Sequence, residues 1–319
     1  MNNQKVLVTG GSGFVGIHTI LQLLQQGYIV NTTLRSLSKK DTVISALKDA
    51  GLVDFGNLHF FEADLIADKG WNEATEACNY VLHVASPFPL VEPEDENELI
   101  IPARDGSLRV LKAAKYSGVK RVVITSSFAA IGYSEDRKNH IFTEEDWTDE
   151  NASLAPYIKS KTIAEKAAWE FMKKEAGDME LSVINPVGIF GPVIGNIYPA
   201  SFEGVIKSII DGKVTESPAF TFGVVDVRDV ADIHIKAMVH PEANGQRFLA
   251  TSEGAMSFYD IAQLIKKERP GKAAKIPTME PTAREFYIEM SNNKACEILG
   301  WYPKSQEEAI LASVDSNGV

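Results

Sequence analysis

Short runs rich in β-branched and other apolar residues recur along the first part of the chain, at Lys5–Thr9, Tyr28–Leu34, Leu58–Phe61, Tyr80–Val84, Arg121–Thr125 and Leu181–Asn185. Each has the length of a strand and is too short for a buried helix. Between the first two, Phe14, Ile17, Ile20, Leu21 and Leu24 fall on one face of a 3.6-residue repeat that stops at Gly27. Glycine is favoured just past a helix end. Strands alternating with helices predict an α/β fold, a doubly wound parallel sheet with helices on both faces. Ligands of such sheets bind at the carboxyl ends of the strands.

The alternation breaks after Asn185, where Pro186, Gly188, Gly191, Pro192, Gly195 and Pro199 crowd together in a composition typical of turns. The expected division is a main domain over 1–187 and a smaller C-terminal substrate-binding lobe over 188–319. Phe202–Asp211 and Phe258–Lys267 read as helices of that lobe, while Gln246–Ala250 reads as a strand. Segments near 223–251 are therefore expected to return to the main sheet, making the boundary discontinuous.

Composition narrows the partners. The 319 residues are 45% hydrophobic and 24% charged, ordinary for a globular chain with a large core. The net charge is −11, without any Lys/Arg-rich run, which argues against nucleic acid or an anionic membrane as partner. The polar start Met1–Lys5 leads directly into the first strand, and no apolar run approaches a membrane span; the expected compartment is the cytoplasm. Cys78 and Cys296 lie far apart, as reduced thiols do, and no metal-like spacing is present. The acidic runs Glu92–Glu98 and Glu144–Glu150 read as solvated surface.

Candidate chemistry begins directly after the first strand, in Thr9-Gly10-Gly11-Ser12-Gly13-Phe14-Val15-Gly16. Strand, glycine loop and amphipathic helix in this order mark the Rossmann dinucleotide site. The glycines permit a tight turn and close approach of the backbone to a pyrophosphate, which meets free N–H groups at the helix N-terminus. Gly10, Ser12, Gly13, Phe14, Val15 and Gly16 are the candidate contacts. NAD sites usually place a carboxylate at the end of the second strand. Here the chain reads Asn31-Thr32-Thr33-Leu34-Arg35-Ser36, with Lys39 and Lys40 following. Arg35, supported by Lys39, would meet a ribose 2′-phosphate with charge-assisted bonds, so NADP(H) is the expected cofactor.

A second constellation, Tyr157-Ile158-Lys159-Ser160-Lys161, opens a long helical stretch. Spacing i, i+4 puts Tyr157 and Lys161 on one face. A nearby ammonium stabilises a phenolate and lowers the phenol pKa, which would make Tyr157 a usable acid. Upstream, Thr125-Ser126-Ser127 ends a strand and offers a serine hydroxyl at the same sheet edge; the residues alone leave Ser126 and Ser127 both open.

The TGxxGxxG loop, the serine-tipped strand and the YxxxK pair resemble the extended short-chain dehydrogenase/reductase family over nearly the whole chain. The strings His83-Val84-Ala85-Ser86-Pro87-Phe88, Asn185–Pro192 and Val225-Asp226-Val227-Arg228-Asp229-Val230-Ala231 resemble its dihydroflavonol reductase, cinnamoyl-CoA reductase and yeast methylglyoxal reductase branch. That resemblance implies Ser127, Tyr157 and Lys161 as catalytic residues, Ser127 because the family's serine is usually the last of the run. It implies further cofactor contacts from Asp64, Leu65, Val84, Ala85, Ser86, Thr125, Pro186, Val187, Ile189 and Ser201, beside those of Tyr157 and Lys161. The implied activity is NADPH-dependent reduction of an aldehyde or ketone; the apolar bias of the candidate pocket residues points to a small-molecule carbonyl substrate that is hydrophobic or aromatic. Phe88, Tyr133, Phe190 and Tyr198 are candidate pocket walls. Rival readings are a nucleotide-sugar epimerase or dehydratase, weakened by Ile158 where those enzymes often carry glycine, and a non-catalytic NADP(H) sensor. Monomer and homodimer are both open.

Overall fold

The computed structural model describes residues 4–87, 93–134 and 140–316; Phe88, a candidate pocket wall, lies outside them. Strand β1 (Lys5–Thr9) leads into helix α1 (Phe14–Gln25), followed by β2 (Ile29–Leu34), α2 (Lys40–Asp49), β3 (Leu58–Glu62), α3 (Trp71–Thr75) and β4 (Tyr80–His83). Then come α4 (Asn97–Tyr116), β5 (Arg121–Thr125), the short β6 (Ile141–Phe142), α5 (Pro156–Lys174) and β7 (Glu180–Pro186). The helix α1 stops where Gly27, at φ +80°, turns the chain. The Gly27 and Tyr28 amides donate back to the Leu24 and Leu23 carbonyls, both at 3.0 Å, the Schellman arrangement that only a residue tolerant of positive φ allows cheaply.

Beyond β7, the chain forms β8 (Gly188–Phe190), a π-helical turn (Phe202–Lys207) running into the short α6 (Ser208–Ile210), and β9 (Val224–Asp226). After α7 (Val227–Val239) and β10 (Gln246–Ala250) come α8 (Phe258–Glu268), β11 (Glu289–Met290), α9 (Asn293–Leu299) and α10 (Gln306–Val314). The helix expected over Phe202–Asp211 is thus π-wound for most of its length.

Seven parallel strands form the central sheet in the order β10-β7-β5-β4-β1-β2-β3. Both faces are covered, as an all-parallel sheet requires. Strand alternation sorts the core: Val6 and Val8 pack with α1, α2 and α7 residues such as Ile17, Leu47 and Ile233, whereas Leu7 packs with Leu111 and Phe171 on the other side. Winding runs outward from β1 to β3 and then restarts at β4, so the crevice falls between the carboxyl ends of β1 and β4, the place where such sheets bind ligands.

β10 pairs with β7 from Gln246↔Ser182 to Ala250↔Pro186, and α7 meets α1 where Gln22 donates to the Arg228 carbonyl at 2.8 Å. The chain thus leaves the main sheet after β7, rejoins it through α7 and β10, and leaves again. The excursions share a separate core around Phe190, Phe202, Ile206, Val224, Ile261 and Ile310, with β8 and β9 as a two-stranded sheet. One expectation of solvated acid fails: Glu144 is 6% exposed and accepts the Leu249 amide of β10 at 2.7 Å.

Candidate active site

The glycine loop has no room for side chains. Gly10 sits at φ +73°, and a Cβ there would come within 3.0 Å of the Ala85 Cα after β4. At Gly11 it would lie 2.1 Å from Thr32 Oγ1, and at Gly16 2.3 Å from the Gly10 carbonyl oxygen. The loop is therefore a cradle of bare backbone against which only a ligand can close. Ser12 and Gly13 at its tip are exposed, while Phe14 and Val15, at 8% and 9% exposed, root the helix. The Gly10 amide donates to Thr33 Oγ1 at 3.2 Å, and the Ala85 amide donates to Thr9 Oγ1 at 3.0 Å.

At the end of β2, Arg35 and Lys39 are exposed, and among the described residues Arg35 forms no ion pair. Asp64 follows β3, its carboxylate accepting the Ile66 amide at 3.2 Å, and Leu65 packs against Gly106 of α4. Val84, Ala85 and Ser86 continue from β4 along the crevice.

Ser127 caps a single 3₁₀ turn over Phe128–Ala130, its hydroxyl accepting the Ala129 amide at 3.1 Å. Proline at the first position of α5, Pro156, starts that helix so that Tyr157 lies on its first turn. The Ser127 hydroxyl faces the Tyr157 phenol closely enough to favour its phenolate. Ser126, by contrast, is buried and donates to Glu165 Oε2 at 2.5 Å, so Ser127 is the serine of the run that meets the tyrosine. One turn along α5, the Lys161 ammonium stands 5.9 Å from the Tyr157 ring centroid.

Burial raises the Tyr157 phenol pKa above its ordinary value, with the Ser127 hydroxyl opposing and Tyr133 adding to the rise. This direction is opposite to the sequence expectation, because desolvation of the phenolate outweighs the stabilising contacts. Lys161 moves the other way: burial brings its ammonium down to about 8, with the Glu165 carboxylate opposing that fall. Behind it, burial and then the Lys161 charge hold His83 down at about 3. His83 is neutral; its Nδ1 meets the Thr9 hydroxyl at 2.9 Å and its Nε2 lies 3.4 Å from Ser107 Oγ.

The remaining expected contacts divide. Pro186 ends β7 beside the serine strand, with Val187 next along the chain and Ile189 in β8. The Thr125 hydroxyl, expected at the cofactor, is instead bonded to His234 Nε2 of α7 at 2.7 Å. Ser201 spends its hydroxyl on the Ile189 carbonyl at 2.5 Å. Tyr133 is brought to Tyr157, and its ring meets Phe128 edge-on at 5.6 Å. Phe190 is 1% exposed in the second core and presents no wall to a ligand: strand β8 turns its ring inward onto Phe222, at 6.0 Å. Tyr198 leans on Phe202 at 4.8 Å. Sequence reading missed Thr9, Thr33, His83, Glu165, Asn185 and Arg247. The buried polar run Asn31-Thr32-Thr33 is a signal of such a network, since buried polar groups need partners.

Among the described residues no three His, Cys, Asp or Glu side chains gather as metal ligands, and no helix is long and apolar enough to cross a membrane. Residues 7–269 match the model of the 3-beta hydroxysteroid dehydrogenase/isomerase family. The chain is 35% identical to a putative NADPH-dependent methylglyoxal reductase of Candida albicans, over 97% of this chain and 98% of that one. It is 32% identical to a cinnamoyl-CoA reductase of Medicago truncatula, over 83% and 81% of the two chains. The crystal structure of yeast methylglyoxal/isovaleraldehyde reductase Gre2 complexed with NADPH superposes with a TM-score of 0.86 at 28% identity, covering 97% of each chain. The cradle, the serine–tyrosine–lysine cluster and these matches together make the chain a member of the 3-beta hydroxysteroid dehydrogenase/isomerase family, within the extended short-chain dehydrogenases/reductases.

Proposed function

We propose that this protein reduces an aldehyde or ketone to the alcohol with NADPH, using Tyr157 as general acid. The carrying observation is Ser127 facing the Tyr157 phenol with Lys161 one helical turn behind, at the sheet edge that also holds the glycine cradle. The residues fit the cofactor. A cradle closed to any Cβ at Gly11 and Gly16 suits a pyrophosphate, and Arg35, exposed and without an ion pair among the described residues, suits a 2′-phosphate. The NADPH-dependent relatives support the same choice.

When bound, the dinucleotide supplies the hydride. The chain does the rest. Ser127 and Tyr157 hold the carbonyl oxygen by two hydrogen bonds, and as hydride arrives at carbon the phenol proton passes from Tyr157 Oη to the forming alkoxide. The Lys161 ammonium stabilises the phenolate left behind. General acid help of this kind is worth about 10²- to 10⁴-fold. Tyr133, about half exposed beside Tyr157 and backed edge-on by the buried Phe128, favours an apolar or aromatic substituent on the substrate.

Loss of NADPH absorbance with a panel of aromatic and aliphatic aldehydes, ketones and diketones tests the reading, run beside NADH and the Tyr157→Phe variant. Turnover with NADPH that nearly vanishes in the variant is the expected result. NADPH binding without oxidation by any carbonyl would overturn it.

A further inference from the structure

We propose that Glu165 is a positioning residue for this reaction, its buried carboxylate fixing where Ser127 and Lys161 stand relative to Tyr157. The inference rests on the reductase reading and adds a residue outside the serine–tyrosine–lysine set.

Tyr157, Lys161 and Glu165 follow one another at i, i+4 along α5, so they share a helix face. The Glu165 side chain is fully buried, at 0% exposed, and its two oxygens collect donors from three other strands. Ser126 Oγ at the end of β5 donates at 2.5 Å, Asn185 Nδ2 of β7 at 2.8 Å and Arg247 Nε of β10 at 2.6 Å. Trp169 Nε1, one turn further along α5, donates at 3.3 Å. Ser126 directly precedes Ser127, and Asn185 also donates to the Ser127 carbonyl at 3.2 Å. One carboxylate therefore ties the tyrosine helix to the serine from two directions.

The arrangement is held at a local cost. Asn185 must turn its amide nitrogen to Glu165, which only accepts, and its Oδ1 is left buried without a partner among the described residues. An unsatisfied buried acceptor is destabilising, so packing alone would not favour this geometry. Arg247 in turn is clamped by the Glu144 and Asp146 carbonyls at 2.7 and 2.8 Å and by the Trp147 ring, 3.7 Å from its guanidinium carbon.

Charge runs through the same contact. Lys161 and Glu165 line one small cavity together with His83, Ser107, Thr125 and Ser126. Among the described residues, the titratable groups that act on the ammonium are Tyr157 and Glu165 on its own helix and neutral His83 on β4, and Arg247 of β10 is paired to Glu165. Glu165 is the anion that opposes the loss of the Lys161 proton.

The test compares the full-length protein with Glu165→Gln, Glu165→Asp and Ser126→Ala, reading kcat against pH, the NADPH dissociation constant by fluorescence, and the Lys161 titration by NMR on lysine-labelled protein. In E165Q, kcat falls about 10- to 100-fold, as a misplacement of about 1 Å produces, and the Lys161 pKa and the alkaline limb of the profile both drop by about half a unit or more. NADPH affinity stays within about threefold, because the cradle is untouched. E165D keeps the charge but not the reach, so the limb is restored while kcat remains low. S126A lowers kcat without moving the limb. A folded E165Q with wild-type kcat and an unmoved Lys161 pKa overturns the proposal; if E165Q does not fold, wild-type kcat in S126A does so. Absence of turnover in the wild-type protein would instead sink the reductase reading, and the NMR arm would still decide the hold of Glu165 on Lys161.

Discussion

Replacing Tyr157 by Phe removes one oxygen and leaves the ring beside which the Lys161 ammonium stands. The expected loss is in kcat, about 10²- to 10⁴-fold, with NADPH affinity nearly unchanged; a loss confined to KM would assign the tyrosine to binding. Arg35→Ala acts on the other end of the site. Bonds to charged groups are worth about 1.5–3 kcal/mol, so the NADPH dissociation constant rises about 10- to 100-fold while that of NADH stays put, and equal loss for both cofactors would remove Arg35 from the 2′-phosphate site. The pH dependence has a definite sign. Lys161 loses its proton near pH 8, and the phenolate is best stabilised by the charged ammonium, so kcat falls as pH rises above about 8. Glycines, tyrosine, lysine and Arg35 were legible in the sequence because each chemistry is local, spelled out within one turn or one helix face. Glu165 and Glu144 were not. A carboxylate is buried only if a cation or amide meets it, and their partners Arg247 and Leu249 sit 82 and 105 residues away.

Helix α1 shows what a single methyl group does to an element. A Cβ at position 16 would lie 2.3 Å from the Gly10 carbonyl oxygen, so Gly16→Ala must push the helix off β1 or reshape the turn. Overpacking of this kind costs about 1–3 kcal/mol. NADPH titration of the variant is expected to show at least about tenfold weaker binding, in line with that energy, and unaltered affinity would mean that the cradle tolerates a wider loop. At this scale the long elements could be read from the chain, since β1 to β5 and α1 carry several apolar positions each at the right period. The short β6, β8, β9 and β11, of two or three residues, fall below any periodicity. Their pairing is tertiary: β6 joins β11 through Ile141↔Glu289. The aromatic that looked like a pocket wall, Phe190, belongs to one of these short strands, which turns it into the second core.

Three histidines, His18, His83 and His234, are buried neutral throughout the molecule, with burial as the main cause holding them at about 4, 3 and 4. In the unfolded chain each would take a proton near pH 6.5. Stability from these sites is complete above pH 6.5 and drains as pH falls, by up to roughly 1.4 kcal/mol per pH unit and ring. Urea denaturation at pH 7 and pH 5 is expected to show a clearly lower midpoint at pH 5, reduced in effect by His83→Gln; equal midpoints would mean that the rings are solvated before unfolding.

The two-way path of the chain also governs how the molecule can be cut. A fragment ending after β7 would contain the whole glycine cradle, Ser127, Tyr157 and Lys161, yet it would lack α7, which covers α1, and β10, which closes the sheet edge. It would also leave the Glu165 carboxylate without Arg247. Grafting the excursions of a relative onto this scaffold therefore takes several seams rather than one, cut on both sides of the stretch from α7 to β10. Exchange by a single crossover swaps the sheet edge and the guanidinium along with the second core.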